Sequence, residues 1–236
     1  MVRTYECGAN GKATLPTICN YLQEAASRHA ELLGFSKSNF EASGENITWV
    51  LTRMFVRMER YPAWEEEITV ETFPRGGRRI VAWRDFEIKD SAGRTIGRAT
   101  SDWMVIDLAT RKLVPVPEAV FAVAGIDSAS VFDSDPYTPR LKFPVADQPS
   151  TPSSQRLNFR AQNSHIDLNG HVNNVRYIEW LLESCPGREV RDLEIVFRSE
   201  TLVGDEVRVE QIAGDDGCYH RVFAPDGREH VIARTA

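Results

Sequence analysis

Apolar residues fall on two helical stripes. Leu15, Ile18, Leu22, Ala26, Ala30 and Leu33 recur at three- and four-residue spacing and stop at Gly34, which predicts an amphipathic helix. Val172, Val175, Ile178, Leu182 and Cys185 form a second stripe closed by Pro186-Gly187. Around that second stripe Tyr177, Trp180 and Leu181 are apolar too, leaving Arg176, Glu179 and Glu183 as a polar strip. A helix apolar on most sides has to be wrapped by other structure.

Strand patterns follow each helix. "TWVLTRMFVRM", "EITVETFP", "RRIVAWRDFEI" and "RTIGRATSDWMVIDL" are rich in β-branched and aromatic residues, with a hairpin turn at Asp90-Ser91-Ala92-Gly93. The later run is "RDLEIVFRSE", "DEVRVEQI", "CYHRVFAP" and "REHVIART", with turns at Asp216-Gly217 and Asp226-Gly227. The two runs also align. Asn10/Asn169, Gly11/Gly170, Leu22/Leu181 and Glu24/Glu183 match 159 positions apart, and "EEEITVE" ending at Glu71 overlays "GDEVRVE" ending at Glu210, 139 apart. The shorter spacing is explained by an extra loop, "GFSKSNFEASGENI", in the first copy.

A Pro-, Ser- and Asp-rich stretch separates the copies, which divides the chain into residues 1–118, a linker 119–153 and residues 154–236. The last part is small for an independent core. The expected fold is therefore α+β: a tandem, or double, hotdog with two helices, each wrapped by antiparallel strands of a shared curved sheet.

Charge and composition narrow the chemistry. The chain has 236 residues, 42% hydrophobic and 26% charged, with net charge −6 and a pI near 5.5, which speaks against general nucleic-acid or membrane-surface binding. Cys7, Cys19, Cys185 and Cys218 form no C-x-x-C pair and no zinc-finger spacing, so free thiols in a reducing compartment are expected. The start "MVRTYECGANGKATLP" has neither an apolar core nor an Arg/Ser-rich leader, and a cytoplasmic location follows.

One segment concentrates polar, proton-handling groups ahead of the second helix: "HIDLNGHVNNVRYIEW", from His165 to Trp180. Two readings compete. Asn169 caps the helix, Gly170 turns and Asp167 faces the dipole; or Asp167, Asn169 and His171 form a site, with the Val172 and Asn173 N–H groups as an oxyanion hole. The repeat favours the second. At the matched places the first copy has Gly8, Asn10 and Lys12, so the acid and the imidazole belong to one copy alone. His165 reads as a strand residue or a supporting neighbour. His29, His220 and His230 read as structural, and Trp49, Met54 and Trp103 as core or tunnel lining.

These segments resemble the acyl-acyl carrier protein thioesterases, the fatty-acid-releasing enzymes of plants and many bacteria. "TWVLTRMFVRMERYPAWEEEITVET", "RATSDWMVIDLATRKLVPVP" and "IDLNGHVNNVRYIEWLLES" occur in the family's order. The resemblance implies hydrolysis of fatty acyl thioesters on acyl carrier protein, without metal or cofactor. It assigns Asp167, Asn169 and His171 to an Asp-x-Asn-x-His pattern and Glu200 in "FRSET" to a further catalytic position. Many plant members carry cysteine after that glutamate; here the residue is Thr201, which argues against a cysteine nucleophile and for direct attack by water. Either Glu200 or His171 is the base on this reading. Arg156, Arg160 and Arg176 flank the segment and are expected to dock the acidic carrier, whereas Arg75, Arg78 and Arg79 read as a solvated turn. Alternatives are a coenzyme A thioesterase and a non-catalytic acyl-binding hotdog protein. A hotdog enoyl hydratase fits poorly, because its Asp-x-Asn-Pro-apolar-His spacing is absent. Acyl length and oligomeric state, homodimer included, stay open.

Overall fold

The structure, a computed structural model, describes residues 1–123, 129–144 and 155–236. It divides into two compact units, Met1–Pro136 and Tyr137–Ala236. In the first, helices α1 (Leu15–Leu32), α2 (Lys37–Ala42) and α3 (Glu118–Phe121) accompany strands β1 (Ile47–Met58), β2 (Ile68–Arg78), β3 (Val81–Asp90), β4 (Thr95–Asp107) and β5 (Leu113–Val114). The antiparallel order is β2-β3-β4-β1, with β5 pairing the end of β4. The second unit carries β6 (Gln155–Arg160), helix α4 (Asn174–Leu182), β7 (Asp192–Phe197), β8 (Glu206–Gly214), β9 (Gly217–Phe223) and β10 (Glu229–Thr235). Its antiparallel order is β7-β10-β9-β8-β6.

Each helix buries the face its stripe marks. On α1 these are Leu15, Ile18, Cys19, Leu22 and Ala26. On α4 the buried set is Val175, Tyr177, Ile178, Trp180 and Leu181, and Arg176 stays partly outside with its side chain on Glu179, 2.8 Å away. Trp180 stacks on Phe159 at 5.7 Å and takes Tyr177 and His165 against it edge-on. Each such aromatic burial is worth about 1.5–3 kcal/mol.

Three features depart from the pattern reading. The supposed extra loop of the first copy folds into α2, held by a reciprocal cap in which Ser36 and Asn39 exchange side-chain bonds with each other's backbone N–H. β6 has a short alternation, Leu157 and Phe159, that the polar residues around it conceal. And α4 begins at Asn174, later than the apolar stripe.

Parts of the described Pro-rich segment are packed. In the first unit the buried Asp85 accepts from the Val131 N–H at 3.0 Å and lies 3.2 Å from the Ser130 hydroxyl. In the second, Glu194 accepts from the N–H and hydroxyl of Thr138 at 3.0 and 2.7 Å. Residues 124–128 and 145–153 of the expected linker lie outside the described residues.

Candidate active site

The polar segment folds as a hydrogen-bonded knot that the chain builds twice. A 3₁₀ turn (Asn163–His165) leads into a loop in which the Asp167 N–H donates to the His171 carbonyl at 2.9 Å and the Gly170 N–H to the Asp167 carbonyl at 3.0 Å. The first unit repeats this with Thr4–Glu6, the Gly8 N–H on the Lys12 carbonyl at 2.9 Å and the Gly11 N–H on the Gly8 carbonyl at 3.0 Å. Gly11 and Gly170 have φ of 72° and 82°, a left-handed conformation in which glycine carries no steric penalty. Isolated bridges close both loops, Cys7 with Ala13 and Ile166 with Val172.

The match continues at the second spacing. The Val172 N–H donates to the Thr201 carbonyl at 2.9 Å, as the Ala13 N–H does to the Pro62 carbonyl. Thr201 and Pro62 stand 139 positions apart, so Glu200 corresponds to Tyr61. Where the second unit places Asp167, Asn169, His171 and Glu200, the first has Gly8, Asn10, Lys12 and Tyr61. The backbone is duplicated while the acid–base groups are not.

The Val172–Thr201 bond brings two remote side chains together. His171 Nε2 lies 3.0 Å from Glu200 Oε2, with the imidazole a quarter exposed and the carboxylate 44% exposed. Glu200 faces solvent; Thr201, next in the chain, is fully buried. The side chain at position 201 therefore points inward, away from the solvent that Glu200 faces. Asp167 Oδ1 accepts from the Asn169 N–H at 2.8 Å, which stiffens the loop. The Asn169 side chain is exposed on that loop.

The capping reading of Asn169 is corrected here. The cap is Asn173, whose side chain accepts from the Val175 N–H at 2.9 Å, just as Thr14 accepts from Thr17 at the head of α1. The two N–H groups expected to form an oxyanion hole are both engaged: Val172 bonds the Thr201 carbonyl and Asn173 the His165 carbonyl, each at 2.9 Å. The bridge that closes the loop uses the Asn173 donor, and the contact with the Glu200–Thr201 segment uses that of Val172.

The flanking arginines are also tethered. Arg156 bonds Glu210 on the neighbouring strand at 2.8 and 3.0 Å, and Glu210 is shared with Arg221. Burial raises the Glu210 carboxyl, but the two guanidiniums outweigh it and hold the group below its usual range. Arg160 donates to the Gly204 carbonyl at 3.2 Å, and Arg176 pairs with Glu179.

Among the other histidines, His165 accepts from the Gln162 N–H, and burial, then Arg176, lowers its pKa. His29 meets Arg84 at 2.9 Å. His220 is buried between Ser184 and Thr235, 3.3 and 3.0 Å away, and burial takes it down to about 4. All four cysteines are free thiols. Burial pushes Cys19 up to about 12 and raises Cys185. Met54 is core; Trp49 and Trp103 are half-buried, their indoles bonded to the Phe35 carbonyl and the Ser101 hydroxyl. Among the described residues no cluster of His, Cys, Asp and Glu has a metal-site arrangement.

A helix and an antiparallel sheet, built twice with an acid–base pair in one copy, define a tandem hotdog protein of the α+β class. Residues 1–124 match the acyl-ACP thioesterase N-terminal domain, and residues 149–236 the C-terminal domain of the same family. The chain belongs to the acyl-ACP thioesterase family. It is 35% identical to oleoyl-acyl carrier protein thioesterase, chloroplastic, of Coriandrum sativum, over 98% of this chain and 69% of the relative. Oleoyl-acyl carrier protein thioesterase 1, chloroplastic, of Arabidopsis thaliana is 36% identical over 92% and 65%. The chain thus spans about two thirds of the length of these plant relatives. The crystal structure of an acyl-ACP thioesterase from Bacteroides thetaiotaomicron superimposes with a TM-score of 0.85 at 26% identity, covering 99% of this chain and 93% of the other.

Proposed function

We propose that this protein hydrolyses fatty acyl thioesters of acyl carrier protein, releasing the free fatty acid and the carrier thiol and so ending chain elongation. The observation that carries the reading is the His171–Glu200 pair, 3.0 Å apart and partly exposed, in a chain of this family. A carboxylate that accepts from Nε2–H leaves Nδ1 of the neutral ring as the basic nitrogen. Water attacks the thioester carbonyl carbon as its proton passes to Nδ1, and Glu200 stabilises the imidazolium. The tetrahedral intermediate then collapses, the C–S bond breaks, and the proton goes to the leaving thiolate. A positioned base of this kind contributes about 100- to 10,000-fold. The exposed Asn169 amide is the side-chain donor for the developing oxyanion, and Asp167 holds the loop that presents both. Among the described residues no helix is long and apolar enough to cross a membrane. The four free thiols favour the cytoplasm as the place of reaction. Carrier docking at Arg156, Arg160 and Arg176 completes the reading.

The test is hydrolysis by purified protein of matched acyl-carrier-protein and acyl-coenzyme A thioesters of several chain lengths. Turnover of the carrier-bound series, lost in His171→Ala, is expected. Binding without turnover, or a preference for the coenzyme A series, overturns the reading.

A further inference from the structure

Behind Glu200, among the described residues of the second unit, three buried polar atoms lack a well-formed hydrogen bond: the Tyr177 phenol, the Thr201 hydroxyl and Nε2 of His230. The three residues are 2%, 0% and 1% exposed. A buried polar atom left unpaired is costly, and a native fold keeps few of them.

All three adjoin the segment after β7 that carries Glu200. Thr201 follows it directly and turns inward. The Tyr177 phenol lies close enough to Thr201 for that residue's hydroxyl and backbone to pull it down against a larger upward push from burial, although no bond of good geometry closes between them. His230 accepts at its carbonyl from the N–H of Arg198 and of Ser199, and its Nδ1 stands 3.0 Å from Ser199 Oγ. The one hydroxyl proton of Ser199 goes to the Glu229 carbonyl at 3.0 Å. Nδ1 therefore carries the ring proton and Nε2 keeps the lone pair. Two buried hydroxyls with a proton to give and one buried acceptor thus belong to residues that meet the Ser199–Thr201 segment. A single water, which bonds two to four polar partners, has the valence to join them.

We propose that Tyr177, Thr201 and His230 are positioning residues for Glu200: with a buried water they brace Ser199–Thr201 from inside and so hold the carboxylate against His171. This rests on the reading of Glu200 as part of a thioester hydrolase.

The test measures kcat and KM on an acyl-carrier-protein thioester for Tyr177→Phe, Thr201→Val and Thr201→Ser, each in wild-type and Glu200→Ala backgrounds. Tyr177→Phe and Thr201→Val are expected to lower kcat about 10-fold with KM little changed, as misplacing a reacting group does. Thr201→Ser recovers most of the loss, and the losses nearly vanish once Glu200 is gone. Equal losses in both backgrounds, a change in KM alone, or no loss beside an active wild type overturns the inference. An inactive wild type would instead defeat the hydrolase reading. A crystal structure tests the network without activity: one ordered water bonded to all three atoms supports it, and its absence at high resolution refutes it.

Discussion

His171 Nε2 and Glu200 Oε2 meet at 3.0 Å, and the register is fixed one residue further along both segments by the Val172 N–H on the Thr201 carbonyl. If Glu200 serves to hold and charge-balance the imidazole, Glu200→Gln keeps the shape and loses the charge. It should lower kcat about 100-fold, and His171→Ala at least as much, the usual scale for a lost acid–base group. Steady-state kinetics with circular dichroism as a folding control checks both. Wild-type turnover in either variant would remove the pair from the chemistry.

The first unit supplies an internal control. Lys12 occupies the place of His171 on the same backbone knot but has no acid–base counterpart in Gly8 or Tyr61. Lys12→Ala should leave turnover within about 2-fold of wild type, the scatter of surface changes away from a site. A loss as deep as that of His171→Ala, in folded protein, would mean that both copies work.

Much of this asymmetry is legible in the residues, because the 159-position match sets Lys12 beside His171 before any backbone is drawn. Both apolar stripes likewise mark their helices, since burial follows the 3.6-residue period directly. What periodicity misses is competition for backbone donors. Val172 extends the apolar pattern of α4, yet the His171 carbonyl that an earlier start would use accepts from the Asp167 N–H, and the Val175 N–H goes to the Asn173 side chain, so the helix starts at Asn174. Glu200 enters the sequence reading only through the family resemblance, because nothing in local pattern ties it to His171. Its counterpart Tyr61 emerges only when Pro62 and Thr201 are seen to accept the same bond.

The thiols should be dispensable for turnover. Cys19 and Cys218 are buried, burial raises Cys185, and position 201 is a buried threonine. Replacing Cys7, Cys19, Cys185 and Cys218 together by Ala or Ser should keep kcat within about 3-fold, allowing the usual modest cost of small core changes to stability. Mass spectrometry that trapped an acyl-cysteine during turnover would contradict this and the water mechanism with it.

Stability should fall on mild acidification, and His220 is a principal cause. Burial holds the folded ring neutral down to about 4, against an ordinary value of 6.5, so between those values the unfolded chain binds a proton that the folded one refuses. The contribution is fully present above pH 6.5 and is lost progressively as pH drops toward 4, by roughly 2 kcal/mol at pH 5. Burial lowers His29, His165 and His230 in the same direction. Urea unfolding at pH 7.5 and 5.0 should show a clearly smaller pH-dependent loss for His220→Gln than for wild type. Identical losses would show that His220 takes its proton without unfolding.

The arginines flanking the site should contribute unequally to carrier docking. Arg176 is already paired with Glu179. Arg160 is held by a carbonyl, and Arg156 shares a single carboxylate with Arg221, so these two leave net positive charge. They stand four residues apart on β6 and therefore on one face of it. The chain as a whole is negative, at −6, and an acidic carrier needs such a local surface to be steered in. Arg156→Glu with Arg160→Glu should raise KM for an acyl-carrier-protein thioester about 10-fold while a small acyl thioester is hydrolysed as before. Arg176→Glu should do less. Raising salt should mimic the double reversal, because a Debye length of about 8 Å at physiological ionic strength shortens further. Equal effects on both substrates, or a larger effect from Arg176 than from the β6 pair, would move the docking surface elsewhere.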